Sequence, residues 1–473
     1  MGCRVRRRLP LIAALALAAG AIACASVTVA TAAQVGVNVT NQTAFSSPKA
    51  LAAIRASKPA WVRVFLDWNF VEPQRGTLAP DWMGLYKRFF RALPRGTKID
   101  VDVVLTPPWA SGSSSTAAPP QNDADFAWFL QQLVTQFHNR VTAWEIWNEE
   151  SSPNWWSGSV SQYADLVKSA YPAIKSVDPK ATVILGANSP EMLSQLYSEG
   201  IRNYFDADAI HTDTACNVTS PYIYEYNRDT TVINRYFFLG FTGTHALMAA
   251  NGDGSKPIYM TEIGWSSTSA ECSTGLWAGK KLAGVTEQTQ ATYLSQAYHC
   301  LAQPKYSYIK AAMWFELQNS GSSSQPLDNY GLLNPNFSPK PAYDAFKQVS
   351  LHGAGQAGSC GNFAPPKITI LRPTPGSTSS GPLHIAVSAS SPANGVREIT
   401  VDLTRSSREH FGPKRGFPST LSASLTWLGA KNLKPGPHKI KVVVIDKLGN
   451  VATKVFRITH VRAARVVRHK HHR

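Results

Sequence analysis

The chain has 473 residues, of which 44% are hydrophobic and 16% charged, and its formal net charge is +17. After the N-terminal segment, no apolar run approaches the ~20 residues that a membrane-spanning helix needs, which excludes an integral membrane protein. Residues 365–473 contain 19 Lys and Arg against 4 Asp and Glu, whereas residues 34–364 contain 24 against 26. Because the basic character belongs to the C-terminal region, we expect an anionic partner to bind there, and we expect no nucleic-acid partner.

Residues 1–33 have the pattern of a signal peptide. Arginines at four of the positions 4–8 precede an apolar run from Leu9 to about Ala23, and small residues continue to Ala33. This order of charged, apolar and small residues is typical of exported proteins, and Ala30-Thr-Ala32 is the expected cleavage site. We therefore predict a secreted, extracellular protein. Attachment to the cell surface stays open, because Ala21-Ile-Ala-Cys24 resembles a lipoprotein signal.

Residues 34–350 alternate strand-like and helix-like segments. The helical stretches include 124–138, 161–177, 286–302 and 341–349. Strands that alternate with helices in this way predict an α/β fold, a (β/α)8 TIM barrel, in which side chains at the C-terminal strand ends form the active site. The eight predicted strands are 34–39, 61–66, 98–105, 141–147, 182–185, 207–211, 257–261 and 311–315.

The C-terminal region has a different periodicity. Residues 351–366 are rich in glycine and proline, which predicts a linker. Short alternating runs then begin at residues 367, 383, 398, 438 and 452. Strands at this spacing, with turn residues between them, predict an all-β sandwich at 367–461, followed by a basic tail at 462–473. The stretch 435–450 resembles bacterial immunoglobulin-like modules.

Two glutamates close two of the predicted barrel strands. Glu149 ends the motif Trp144-Glu-Ile-Trp-Asn-Glu, and Glu262 lies in Ile258-Tyr-Met-Thr-Glu-Ile-Gly-Trp265. They fall at the ends of the fourth and seventh strands, so the barrel brings them to the same face. A single glutamate at a strand end is usually a solvated carboxylate. Two carboxyl groups, one protonated and one ionised, are what cleavage of a glycosidic bond requires, so the pair predicts a glycoside hydrolase.

The two motifs resemble those of glycoside hydrolase clan A, most closely family 39 and neighbouring endo-acting enzymes, over residues 35–349. The resemblance implies that Glu149 is the acid/base, that Glu262 is the nucleophile and that Asn148 binds the sugar 2-hydroxyl. It also implies a β-linked oligosaccharide or polysaccharide substrate, no metal or organic cofactor, and a retaining double displacement. Retention requires carboxyl groups about 5–5.5 Å apart.

Two further polar residues fit the same pattern. Arg63 on the second strand matches the arginine that keeps the nucleophile ionised, because a nearby cation lowers the pKa of a carboxyl group. An ion pair with Glu145 inside the barrel is the alternative for Arg63. His211, at the end of the sixth strand, resembles a residue that lines the subsite where cleavage occurs; the alternative is a structural histidine.

Several tryptophans are candidates for substrate binding, because sugar C–H groups pack on aromatic ring faces. Trp109 and Trp314 resemble residues that line the cleavage subsite, and Trp265 follows the nucleophile motif. Trp155 and Trp156 lie in a loop just after Glu149, where adjacent tryptophans are hard to bury together, so we expect outer sugar platforms there. Large aromatic residues also fill protein cores, which is the alternative for Trp109, Trp265 and Trp314.

The sequence departs from the clan pattern in two places. The clan commonly has Pro after the acid/base and often has Tyr two positions after the sixth-strand His, whereas this chain has Glu150 and Asp213. We expect Tyr222 or Tyr224 to replace the missing tyrosine as a hydrogen-bond donor to the nucleophile. We also expect Glu150 and Asp213 to add negative charge near the cleft, which would favour neutral or cationic sugars.

Four cysteines remain after the predicted signal peptide, and an even number in an exported chain predicts two disulfides. Cys216 and Cys272 follow the sixth and seventh strands, so both lie in loops on the active-site face. Cys300 and Cys360 approach the opposite face. The barrel topology therefore predicts the pairs Cys216–Cys272 and Cys300–Cys360.

Two other functions stay open. In one, the barrel binds glycans without cutting them, and the basic C-terminal region holds this adhesion protein to an anionic cell-envelope polymer. The intact set of Glu149, Glu262, Asn148 and Arg63 argues against that function. In the other, the same residues catalyse transglycosylation, which the sequence does not separate from hydrolysis.

Overall fold

The computed structural model describes residues 32–462, except 187–188, 213–215, 217–218, 225–226, 228–231, 274–277, 322–323, 355–359, 361–364, 393, 405–406 and 448–449. Most of the predicted signal peptide, Asp213 and the tail after Arg462 lie outside the described residues. The predictions that concern those segments therefore stay predictions.

Eight parallel strands close into a barrel in chain order, which confirms the predicted TIM-barrel fold. Most strand residues are buried, because one face of the sheet points into the barrel and the other is covered by helices. The strands are β1 Gln34–Asn38, β2 Trp61–Asp67, β3 Lys98–Val104, β4 Ala143–Ile146, β5 Thr182–Leu185, β6 Ala207–His211, β7 Ile258–Ile263 and β8 Ile309–Trp314.

Ten α-helices connect and cover these strands in the described part of the chain. Local sequence explains several helix starts: Ser159 and Gln162 form a reciprocal capping box at the start of α6, and proline opens five of the helices, where its missing N–H has no cost. The helices are α1 Pro48–Ser57, α2 Trp68–Val71, α3 Pro80–Ala92, α4 Pro108–Ser111, α5 Asp123–Phe137, α6 Val160–Val177, α7 Pro190–Ser198, α8 Phe241–Ala250, α9 Glu287–Leu301 and α10 Pro341–His352.

The barrel interior changes from apolar to polar along the strands. Near the strand starts, Trp61 and Tyr259 meet edge to face with their ring centroids 5.4 Å apart and fill the space above small alanine side chains. Gly36 leaves room for the side chains of Trp61 and Met313, since a Cβ at position 36 would lie 2.7 Å from Met313 Cγ and 2.9 Å from Trp61 Cβ. Two residues further along β2, the interior residue is Arg63. The polar layer therefore lies toward the C-terminal strand ends.

The C-terminal region forms two β-sheets around a core of its own, which confirms its predicted all-β class. A five-stranded sheet has the order β10-β16-β15-β12-β13, and a three-stranded sheet has the order β14-β11-β9. The strands are β9 Lys367–Arg372, β10 Thr378–Ser379, β11 Leu383–Ser390, β12 Val396–Thr404, β13 Ser407–Phe411, β14 Thr420–Trp427, β15 Gly436–Asp446 and β16 Val451–His460.

The structure contains both predicted disulfides. Cys216–Cys272 joins the loop after β6 to the loop after β7, with the two Cα atoms 5.7 Å apart. Cys300–Cys360 ties the end of α9 to the segment after α10, with the Cα atoms 4.7 Å apart. None of the helices in the described ranges is both long and apolar enough to cross a bilayer.

Candidate active site

Glu149, His211 and Glu262 meet at the C-terminal ends of β4, β6 and β7. The imidazole of His211 lies between the two carboxyl groups: Nδ1 is 3.0 Å from Glu149 Oε1, and Nε2 is 3.7 Å from Glu262 Oε1. Nε2 of His211 is also 3.1 Å from the hydroxyl of Thr261. The two glutamates that the sequence analysis singled out therefore share one histidine.

The backbone before Glu149 is unusual. Trp147 has a φ of 71° and Glu149 a φ of 44°, both in the left-handed region that non-glycine residues seldom adopt. Such conformations persist where the surrounding structure holds them, and they concentrate at functional sites. Here the indole N–H of Trp147 donates to the carbonyl of Trp155 at 2.8 Å, which closes the turn that presents Glu149.

Arg63 is the cation beneath the site. It is buried and bonds Glu262 on one side and Glu145 on the other, so both contacts considered for it from the sequence are present. Burial alone would lower the pKa of Arg63, but the three carboxylates raise it well above its ordinary value, and the guanidinium stays charged. Its acceptors are Glu145 at 2.6 Å, Glu262 and Asp102 at 2.7 Å, and Asn38 and Asn148 at 3.0 Å.

The charge on His211 decides the protonation of Glu149. Burial raises the pKa of Glu149, but the hydrogen bond and charge of His211, together with Arg63, bring that pKa below its ordinary value. Burial lowers the pKa of His211, but the charge of Glu262 and the bond to Glu149 raise it to about 9. These pKa shifts favour a protonated His211 beside an ionised Glu149.

A cavity of about 530 Å³ opens over Glu149 and His211. This volume lies within the range of ligand-binding pockets. Its far wall contains Arg235 and Tyr236, which the sequence analysis missed because no motif surrounds them. Tyr236 is 56% exposed, and Arg235 pairs with Glu191 at 2.7 Å.

Two of the predicted substrate-binding tryptophans keep partly exposed rings. Trp155 stacks on Phe65 with their ring centroids 5.6 Å apart, and its side chain hydrogen-bonds Glu149, which contributes to the lowered pKa of that carboxyl. Trp109 packs edge to face on Trp68 and donates its indole N–H to the carbonyl of Glu72 at 2.8 Å. Trp155 is thus the tryptophan that contacts the acid/base candidate.

Three other tryptophans are buried, which agrees with the core role considered for Trp265 and Trp314 and corrects the expectation that Trp156 is exposed. Trp314 is 0% exposed and donates its indole N–H to the carbonyl of Tyr330 at 3.0 Å. Trp265 is 5% exposed and packs against Trp314, with ring centroids 6.2 Å apart. Trp156 is buried between Trp147 and Tyr163, so the loop after β4 exposes one tryptophan rather than two.

Neither tyrosine proposed to replace the clan's missing tyrosine does so. The hydroxyl of Tyr222 is 2.9 Å from Nδ1 of His299. The hydroxyl of Tyr224 donates to Oδ1 of Asn450 at 3.0 Å, in the turn between β15 and β16. Both side chains are therefore committed to partners away from Glu262.

The prediction that Glu150 adds negative charge to the cleft is wrong. Its side chain is 3% exposed and points toward Gly186, where an added Cβ would lie 1.7 Å from Glu150 Oε1. Burial raises the pKa of Glu150 to about 8. Glu150 is therefore a buried neutral acid at neutral pH.

The sequence of this chain also matches a known protein family. Residues 29–278 match the sequence profile of Cellulase, glycosyl hydrolase family 5. The chain belongs to glycosyl hydrolase family 5. Membership of clan A is thus confirmed, while the profile that matches is that of family 5 rather than family 39.

Several solved structures of glycoside hydrolases align with this chain. A family 39 glycoside hydrolase from Bacteroides cellulosilyticus WH2 aligns over 84% of this chain and 80% of its own, with 21% identity and a TM-score of 0.55. The endo-beta-1,4-mannanase from Thermotoga petrophila aligns over 92% and 99%, with 12% identity and a TM-score of 0.43. A glucosidase from Croceicoccus marinus aligns over 84% and 93%, with 14% identity and a TM-score of 0.47. A search of curated proteins found no match.

Proposed function

We propose that this family 5 protein is a secreted glycoside hydrolase that cleaves β-glycosidic bonds of an oligosaccharide or polysaccharide with retention of configuration. The observation that carries the proposal is the placement of His211 between Glu149 and Glu262, with Arg63 bonded to Glu262. Two carboxyl groups held by one histidine at the C-terminal strand ends of a TIM barrel suit a double displacement.

Glu262 is the proposed nucleophile. Nη1 of Arg63 bonds Glu262 Oε1 at 2.7 Å, so the carboxylate is fixed and kept negative. In the first step, an oxygen of Glu262 bonds the anomeric carbon while the glycosidic C–O bond breaks and the leaving oxygen takes a proton from Glu149. In the second step, Glu149 takes a proton from water, whose oxygen displaces Glu262 from the anomeric carbon.

His211 is the proposed source of the proton for Glu149. In the unliganded site, the proton lies on Nδ1 of His211, 3.0 Å from Glu149 Oε1. The negative charge of Glu262 is the strongest effect that holds this proton on the imidazole. As Glu262 bonds the sugar, its charge disappears and the pKa of His211 falls. The proton thus moves toward Glu149 when the leaving oxygen needs it.

The substrate is proposed from the aromatic side chains near Glu149. Trp155 stacks on Phe65 and hydrogen-bonds Glu149, and the exposed Tyr236 lines the cavity that opens over Glu149 and His211. Aromatic ring faces suit the C–H groups of sugar units. Asn148 is proposed to bind the 2-hydroxyl of the sugar that Glu262 attacks.

Secretion and domain organisation complete the proposal. The predicted signal peptide at residues 1–33 agrees with an oxidising destination, as do the two disulfides. We propose a catalytic domain at 34–350, a linker at 351–366 and a β-sandwich at 367–461. The basic C-terminal region is proposed to contact an anionic polymer of the cell envelope.

Turnover of β-aryl glycosides and β-linked oligosaccharides tests the function. The wild type is compared with Glu149→Gln and Glu262→Gln, which preserve shape while removing the titrating group. We expect one substrate class to be cleaved and both variants to lose activity. Azide should partly rescue Glu149→Gln on an activated aryl substrate and give a β-azide product. Glycan binding without cleavage, unchanged in both variants, would instead identify a binding protein.

A further inference from the structure

The C-terminal β region contains a second cavity, far along the chain from the catalytic residues. It measures about 440 Å³ and lies between the 3-10 turn Leu428–Asn432, the segment leading into β15, and the end of β16. Polar and cationic side chains dominate its lining. The lining residues are Ser380, Lys431, Asn432, Leu433, Lys434, Pro435, His460 and Arg462.

The cavity concentrates positive charge without a compensating acid. Lys431, Lys434 and Arg462 line it, and no Asp or Glu does. Within the described ranges none of these three cations forms an ion pair, whereas Arg408 and Lys441 of the same β region pair with Asp402. Such a concentration of unpaired cations attracts anions.

His460 supplies a second, independent observation on this cavity. Its side chain is only 4% exposed, yet Nδ1 has no hydrogen-bond partner among the described residues. Buried polar atoms nearly always have a partner, so an unsatisfied one needs an explanation. An oxygen atom of a ligand in the cavity can accept a hydrogen bond from this imidazole N–H.

The groups around the cavity indicate the chemistry of that ligand. The ammonium groups of Lys431 and Lys434 and the guanidinium of Arg462 are donors without acceptor capacity, and the hydroxyl of Ser380 can donate as well. Among the described residues, no Phe, Tyr or Trp lines the cavity, so it lacks the ring faces on which neutral sugars usually stack. Together, the hydrogen-bond donors and cations of this cavity favour an oxyanion as the ligand, such as a carboxylate or phosphate group.

We propose that this cavity binds the carboxylate or phosphate groups of an acidic polymer and thereby holds the enzyme at that polymer. A polymer is favoured over a small free anion because the whole region from 365 to 473 carries 19 basic against 4 acidic residues, which can follow repeated charges beyond the cavity. The proposal does not depend on the roles of Glu149 and Glu262.

Binding of the full-length chain to polygalacturonate, polyphosphate and inorganic phosphate, measured by calorimetry at low and physiological salt, tests this proposal. The site variant is Lys431→Gln/Lys434→Gln. Its matched control is Lys414→Gln/Arg415→Gln, which removes the same charge from an exposed turn of the β region. His460→Leu removes the buried donor without removing a lysine or arginine.

We expect one of the two polymers to bind, and the site variant to weaken that binding about tenfold or more, as loss of charge-assisted hydrogen bonds does. The control variant should change the affinity for the polymer by less than about threefold, because Lys414 and Arg415 contribute only to the general positive field of the β region. His460→Leu should weaken binding too. All variants should keep wild-type turnover of a small aryl glycoside, which separates this site from catalysis and from misfolding.

Three outcomes would overturn the proposal. Equal losses in the site and control variants would mean that general basicity, not a built site, binds the polymer. Binding of inorganic phosphate with no binding of either polymer would refute the polymeric ligand. No binding of any of the three probes would refute the site itself.

Discussion

Replacement of Glu150 by Gln should change how the stability of the protein depends on pH. Glu150 lies beside the proposed acid/base, and burial raises its pKa from an ordinary value of 4.5 to about 8. Between these two pH values the unfolded chain has lost the proton that the folded protein still holds. The stability from the protonated acid is therefore fully present below pH 4.5 and is lost as the pH rises toward about 8.

The size of the effect follows from the pKa difference. One group in this regime lowers the free energy of unfolding by about 1.4 kcal/mol per pH unit, or roughly 4 kcal/mol between pH 5 and 8. With an unfolding entropy of about 2.1 cal/mol/K per residue, a domain of roughly 300 residues should lose about 2 °C of Tm per pH unit. Asp100 and Asp208 are also buried with raised pKa values, so the wild type should be steeper still.

Calorimetric Tm values of wild type and Glu150→Gln at pH 5, 6, 7 and 8 measure the contribution of Glu150 alone. Gln has the same shape and does not titrate, so the other buried acids cancel in the difference. We expect the difference between the Tm of Glu150→Gln and that of wild type to rise by roughly 6 °C from pH 5 to pH 8. Other effects of the substitution should add a difference that is the same at every pH. A Tm difference that does not vary with pH over this range would refute a buried neutral Glu150.

Three further predictions concern the site and its support. His211→Gln should move the alkaline limb of the pH profile of kcat/KM from about pH 9 to lower pH, because the catalytic proton must then stay on Glu149 alone. An alkaline limb at the same pH in the variant would show that His211 is not on the proton path. Arg63→Met leaves buried carboxylates without their cation and should cost about 3–5 kcal/mol of stability in thermal unfolding, and a neutral result would mean that those acids are protonated throughout. Tyr224→Phe removes the hydrogen bond to Asn450 and should cost about 1 kcal/mol by the same assay, whereas an unchanged or higher Tm would show that the bond does not stabilise the protein.

Much of the barrel could be predicted because its signals are local. Alternating strand and helix periodicities located all eight strands, and the closing motifs placed Glu149 and Glu262 at strand ends that a barrel brings together. The disulfides followed from the same topology. In the C-terminal region, strands β10, β13 and β14 were not predicted. β10 has two residues and β13 is mostly exposed, whereas Thr420–Trp427 alternates polar and apolar residues and could have been predicted as a strand.

What the sequence could not supply was the environment of each side chain. Trp314 and Trp265 match positions near the cleft, but only the packing of neighbouring loops determines that they are covered. Glu150 is charged by residue type, and only its burial makes it neutral. Arg235 and Tyr236 line the cavity, although no motif or periodicity in the sequence marks them.

Trapping of the glycosyl-enzyme tests the central claim most directly. A 2-deoxy-2-fluoro aryl β-glycoside of whichever sugar the enzyme cleaves slows both steps and lets the covalent intermediate accumulate. Peptide mapping by mass spectrometry then locates the modified residue. The account predicts a single sugar adduct on Glu262, formed in the wild type and absent from Glu262→Gln. An adduct on another residue, or turnover that releases an α-configured first product, would contradict it.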